Sequence, residues 1–165
     1  MTSGMEHGGP GFSGSLPSFF MPNITIVIDT REQKPWTFSS TEFGIVRRGL
    51  PTGDYSLAGF EDQIAVERKS LGDLVGTLIT DWIRFRKELY RMAGMDSAVI
   101  IAECNLSDIQ DKLYDSDANP EAVIARCAGC YVDHGIPVVF CGDALRAGRY
   151  VERFFRLWWK RMGGK

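Results

Sequence analysis

Three short apolar runs, ITIVID (24–29), SAVIIAE (97–103) and IPVVFC (136–141), are too brief for ordinary helices and rich in β-branched residues. Such runs read as strands buried on both faces, which need helices to cover them. A polar, proline-containing loop over 30–39 follows the first run and leads to an extended FGIVRRG (43–49). YSLAGF (55–60) and QIAVERK (63–69) flank the turn residues Glu61 and Asp62, a hairpin signal. Leu71, Leu74, Leu78, Trp82, Phe85, Leu89 and Met92 recur every three or four residues and predict one amphipathic helix over 71–92. NPEAVIARCAGCYVDHG (119–135) predicts a helix opened by Asn119-Pro120 and closed by Gly135. A last helix, dense in aromatics, is expected over ALRAGRYVERFFRLWWKRM (144–162). Strand, hairpin, helix, strand, helix, strand, helix is an α/β order with a mixed central β-sheet flanked by helices.

At 165 residues the chain suits one domain with a real core. The Gly/Ser/Pro-rich opening, residues 1–22, reads as a flexible leader or an expression remnant ahead of a start at Met21, which leaves 23–165 as the domain. That opening is a poor signal peptide, and no apolar run nears the ~20 residues a membrane span needs. Together with four cysteines that suggest free thiols, this favours an intracellular setting: cytoplasm in a prokaryote or virus, nucleus in a eukaryote. Net charge is −2, so bulk charge alone does not mark a nucleic-acid binder. The distribution says more: residues 144–165 hold seven Lys/Arg against one acid, Glu152.

The stretch GDYSLAGFEDQIAVERKSLGD (53–73) carries the chemistry. Alternation puts Glu67 and Lys69 on one strand face and Arg68 on the other. A hairpin turning near 59–63 returns Asp54 beside Glu67 and Lys69, and a neighbouring strand ending at Asp29 would bring a third carboxylate. Crowded carboxylates repel and need a cation, and oxygen-only donors favour Mg²⁺ or Mn²⁺ over zinc. A hard divalent ion beside a lysine suits phosphodiester hydrolysis. On spacing alone, a solvated strand end with Asp54 as a turn acid is an equal reading.

VIDTRE (27–32), GDY (53–55) and VERKSLGDL (66–74) resemble the signature of the XPF/Hef-type structure-specific endonucleases, and WIRFRKELYRM and AVIIAE continue the likeness. The resemblance runs over roughly residues 24 to 160. It implies a restriction-endonuclease-like core, with metal-site residues Asp29, Asp54 and Glu67 and a catalytic lysine at Lys69. It implies supporting roles for Arg31, Glu32, Arg68 and Asp73. The implied function is metal-dependent cleavage of branched, flap or fork DNA in repair, recombination or replication. Members usually continue into a tandem helix-hairpin-helix domain, whereas this chain stops after the nuclease core. The family also includes partner chains without an active site, so a non-catalytic DNA-binding or scaffolding subunit is the alternative. Such chains lose the acids kept here.

Arg84, Lys87 and Arg91 share one face of the middle helix, which predicts phosphate contacts beside the site, Arg84 foremost. Cys127-x-x-Cys130 invites a zinc reading with Cys104, Cys141 or His134, but it lies in an apolar helical pattern and fits buried thiols better. His134 fits a helix end. In the last helix, Val151, Phe154 and Trp158 would pack on the core. That leaves Phe155, Leu157 and Trp159 as an exposed apolar surplus for a homodimer or heterodimer.

Overall fold

β1 (Ile24–Ile28) pairs in parallel with β2 (Phe43–Arg47) and antiparallel with β3 (Tyr55–Leu57), so the first run becomes an interior strand. β3 turns back into β4 (Ile64–Lys69) with Tyr55 opposite Val66, and the buried Ser56 hydroxyl donates to the Ile64 carbonyl at 2.6 Å across the hairpin. β5 (Ser97–Ala102) and β6 (Val138–Phe140) add in parallel beyond β4. The resulting six-stranded mixed sheet has the order β2-β1-β3-β4-β5-β6 in this computed structural model, which describes residues 24–164. The leader expected over 1–22 lies outside the described residues.

Helices cover both faces, as the strand composition demands. Ile26, Tyr55, Val66, Val99 and Ile101 point to one side, where Trp36, Phe38 and α5 (Ala144–Arg161) close the core. Ile100 and Ala102 point to the other, where α1 (Leu71–Ile79), α2 (Trp82–Ala93) and α4 (Pro120–His134) pack. α4 begins and ends as the sequence predicts: Asn119 accepts from the Glu121 N–H, and Gly135 closes it at φ +72°, a left-handed conformation that suits glycine. The short α3 (Leu106–Gln110), with Asn105 and Asp108 capping each other, has no counterpart in the apolar periodicity.

Two expectations need correction. The helix predicted over 71–92 is two helices, broken at Thr80–Asp81, where Asp81 takes a non-helical conformation (φ −98°, ψ 17°). A β-branched residue followed by Asp is a weak helical step. Periodicity missed the break because Leu74, Leu78, Phe85, Leu89 and Met92 all enter one cluster. The second correction concerns α5. Phe155 is fully buried and Trp158 nearly so, while Trp159 is half-buried, with its ring 5.7 Å from that of Phe60. Of the three residues expected to form an apolar surplus, only Leu157 stands out in solvent, at 68%.

The burial on α5 has a direct test. Phe155→Ala should cost about 3–5 kcal/mol by opening a cavity, whereas Leu157→Ala should stay within about 0.5 kcal/mol. Urea unfolding followed by circular dichroism measures both, and equal losses would mean that the helix is rotated from the position described.

Candidate active site

The hairpin does what the alternation argument requires. The Asp54 N–H donates to the Val66 carbonyl and the Arg68 N–H to Asp54 Oδ2, each at 2.8 Å, so Asp54 is pinned across from Glu67. Gly53 just before it holds φ +75°, with its α-carbon pressed against β4: a β-carbon there would meet the Val66 carbonyl oxygen at 3.0 Å. Lys69 Nζ donates to Glu67 Oε1 at 2.7 Å, with both side chains largely buried, and lies 5.2 Å over the Phe85 ring. Asp54, Glu67 and Lys69 line one pocket of about 430 Å³, bordered by α2 through Arg84, Glu88 and Arg91.

The electrostatics of that pocket are unfavourable to its own acids. Burial and the adjacent Glu67 push the Asp54 carboxyl up to about 7, against the pull of the Arg68 N–H and Lys69. Burial, aided by Glu88, also raises Glu67 above the usual carboxylate range despite the Lys69 ammonium. Two carboxyls that resist ionising beside one another are poised to accept positive charge.

Asp29 reaches the same sheet edge, its N–H donating to the Asp54 carbonyl at 2.8 Å, but its carboxylate is fully engaged. Oδ1 accepts from the Arg31 N–H and Nε, and Oδ2 from Arg31 Nη2 and the Leu50 N–H. Burial works against ionisation there, yet the Arg31 fork and the Leu50 N–H outweigh it and hold the carboxyl down at about 2. Among the described residues, no three His, Cys, Asp or Glu side chains already stand together as a metal-binding group.

Arg68 turns to the opposite sheet face, as alternation predicts. It forks onto Glu103 at 2.8 and 3.2 Å, lies 3.4 Å from Glu32, and stacks 5.2 Å over Trp36, whose indole N–H donates to the same Glu103. Glu32 therefore supports Arg68 rather than the pocket. Asp73 is exposed and completes the start of α1, exchanging hydrogen bonds with Ser70. On α2, Arg84 and Arg91 border the pocket but Lys87 does not; Arg84 pairs with Asp81 at 2.8 Å and Arg91 with Glu88.

Sequence reasoning missed two acids. Glu88 lines the pocket and accepts from the Gly53 N–H at 3.2 Å; its spacing from Arg84 and Arg91 put it on their helix face. Glu103 closes the AVIIAE stretch that carries part of the family likeness, but it gives no periodic signal for a role, since it lies one residue past β5. The cysteines stay thiols: Cys104, Cys127 and Cys130 are buried, and burial pushes Cys104 and Cys130 up to about 11. His134 ends α4 edge-on to Tyr90. No helix among the described residues is long and apolar enough to cross a membrane.

Comparison with known proteins places this geometry in a family. XPF from Aeropyrum pernix in complex with DNA shares the fold at a TM-score of 0.68 and 24% identity, over 84% of this chain and 66% of that one. The structure titled XPF from Aeropyrum pernix gives 0.65 and 23%, over 84% and 67%. This chain thus spans about two thirds of the XPF chains it matches. The shared architecture is the restriction-endonuclease-like core that the motifs implied. No curated protein matches in sequence. The ERCC4 domain matches residues 28–154, which include both sides of the pocket and most of α5, and the chain belongs to the ERCC4 domain family.

Proposed function

We propose that the protein is a divalent-metal-dependent DNA endonuclease that hydrolyses phosphodiester bonds in branched, flap or fork DNA. The observation that carries this is the pairing of Asp54 and Glu67, both held above the normal carboxylate range, in a pocket with Lys69. Membership of the ERCC4 domain family and the fold shared with an XPF solved on DNA support it.

The donor set suits Mg²⁺ or Mn²⁺. Only oxygens are offered, and binding a cation would relieve the mutual penalty on Asp54 and Glu67. Among the described residues, Asp54 Oδ1 and Glu67 Oε2 accept no hydrogen bond, so each acid has an oxygen to give. Asp29 joins them only by giving up the Arg31 fork. Such an ion supplies Lewis acidity, lowering the pKa of water and neutralising phosphate charge. Lys69, positioned by Glu67, sets a positive charge where charge grows on the reacting phosphate. Arg84 and Arg91 sit in exposed or partly exposed surface pairs, worth little in water and readily exchanged for a phosphate. The side chains of the active form are present, which favours an enzyme over a scaffolding subunit.

Asp54→Asn and Glu67→Gln should abolish cleavage of flap and fork DNA while leaving DNA affinity unchanged or higher, because each removes negative charge facing the phosphate. Gel assays with Mg²⁺, Mn²⁺ or chelator read both quantities, and wild-type cleavage in either variant would refute the assignment.

Lys69→Ala should lower turnover by about a hundredfold or more with little change in DNA affinity. Single-turnover kinetics beside titrated binding separate the two; equal losses would make Lys69 a binding contact.

In chelator, folded Asp54 keeps its proton up to about 7 but loses it near 3.8 when unfolded. The folded chain then binds more protons over that window, so its stability falls as pH rises through it. Asp54→Asn removes this loss. Thermal unfolding across the window should show the variant gaining on the wild type as pH increases, and a constant gap would contradict the shift.

A further inference from the structure

The outward face of α5 is a stripe of unpaired cations. Arg149, Arg153, Lys160 and Arg161 follow one another at steps of four, seven and one residues; all are exposed, and none forms an ion pair among the described residues. Tyr150 and Leu157 stand between them. The acids that could neutralise the stripe are turned elsewhere. Glu152 accepts the Ser39 N–H at 2.6 Å, Asp143 caps the helix and holds Arg146, and Glu42 takes Arg156. Around the pocket the situation is reversed: Arg31, Arg84 and Arg91 are each paired with a carboxylate. A chain of net charge −2 therefore keeps a run of uncompensated positive charge on one helix.

We infer that the outward face of α5 is a second DNA-binding surface that grips the phosphate backbone of a duplex arm other than the one entering the pocket. The cations span about 18 Å along the helix axis at 1.5 Å per residue, the length of several base pairs. α5 covers one face of the sheet, whereas the pocket lies on the α2 side, so a single straight stretch of duplex does not serve both. A second copy is a poor occupant, because a two-fold pair would oppose like charges. Leu145, Tyr150, Leu157 and Met162 are exposed, but they are interspersed with the cations and do not form the one continuous apolar face that a helix lying in a lipid surface needs. A duplex instead releases counterions for every phosphate neutralised. This inference rests on the proposed action on branched DNA and adds where the uncut arm lies.

The test is duplex and fork binding in chelator by the otherwise intact chain carrying Arg149→Gln, Arg153→Gln and Lys160→Gln, surface changes expected to leave stability nearly unchanged. Each phosphate contact contributes about 0.9 to the slope of log affinity against log salt, so losing three should flatten it by about 2.7. Affinity for the fork should fall, while cleavage of a fork whose uncut arm is too short to reach α5 keeps its wild-type rate. A charge-keeping variant, Arg149→Lys with Arg153→Lys, should retain the slope; its failure to do so would replace charge with shape and overturn the inference. An unchanged slope and affinity in the triple variant would also overturn it. So would loss of a dimer mass by light scattering, or loss of binding to anionic vesicles, with DNA binding intact. Because binding is read without cleavage, a flattened slope in a protein that never cuts DNA would sink the nuclease proposal alone. Normal cleavage with an unchanged slope would sink the α5 surface alone.

Discussion

Repulsion between two buried acids organises this molecule. Asp54 and Glu67 are forced together by the β3–β4 register, and among the described residues the only ammonium in contact with either is Lys69. Burial and proximity hold both carboxyls above their ordinary range, so the folded chain carries an electrostatic debt at neutral pH. The apolar sheet and its helices must be stable enough to hold that strained pair in place.

The opposite face of the same strand shows how it is held. Arg68, one residue from each of Glu67 and Lys69, is locked by Glu103 and Glu32 and stacked on Trp36, which stacks in turn on Tyr55 at 4.5 Å. Both partners are only partly buried, so removing one costs less than the loss from a fully buried ion pair. The motif Glu-Arg-Lys thus divides by alternation: its outer two residues face the pocket, and its middle residue fixes the strand end that presents them. Asp29 plays a related part on β1, where its ion pair with Arg31 and its bond to Leu50 tie down the loops beside the pocket.

Much of this was legible in the sequence because it depends on period. Alternation along IAVERK placed Glu67 and Lys69 together, and the hairpin brought Asp54 to them. Asn119-Pro120 and Gly135 marked both ends of α4. What escaped depends on contacts between distant segments. The Thr80–Asp81 break was hidden because two helices share one apolar cluster. Burial of Phe155 could not be separated from that of Phe154 by spacing, since both lie near the inner edge of α5. Nor does any local pattern reveal that Arg31 saturates Asp29, or that Glu88, although its spacing puts it on the face of Arg84 and Arg91, accepts the Gly53 N–H.

Anomalous diffraction from crystals soaked in Mn²⁺ measures most directly whether the crowded carboxylates exist to hold a cation. The account predicts an anomalous peak in the pocket within coordinating reach of Asp54 and Glu67, absent from crystals of Glu67→Gln. A fully soaked crystal with no peak there, or with Mn²⁺ only on surface acids, would contradict it.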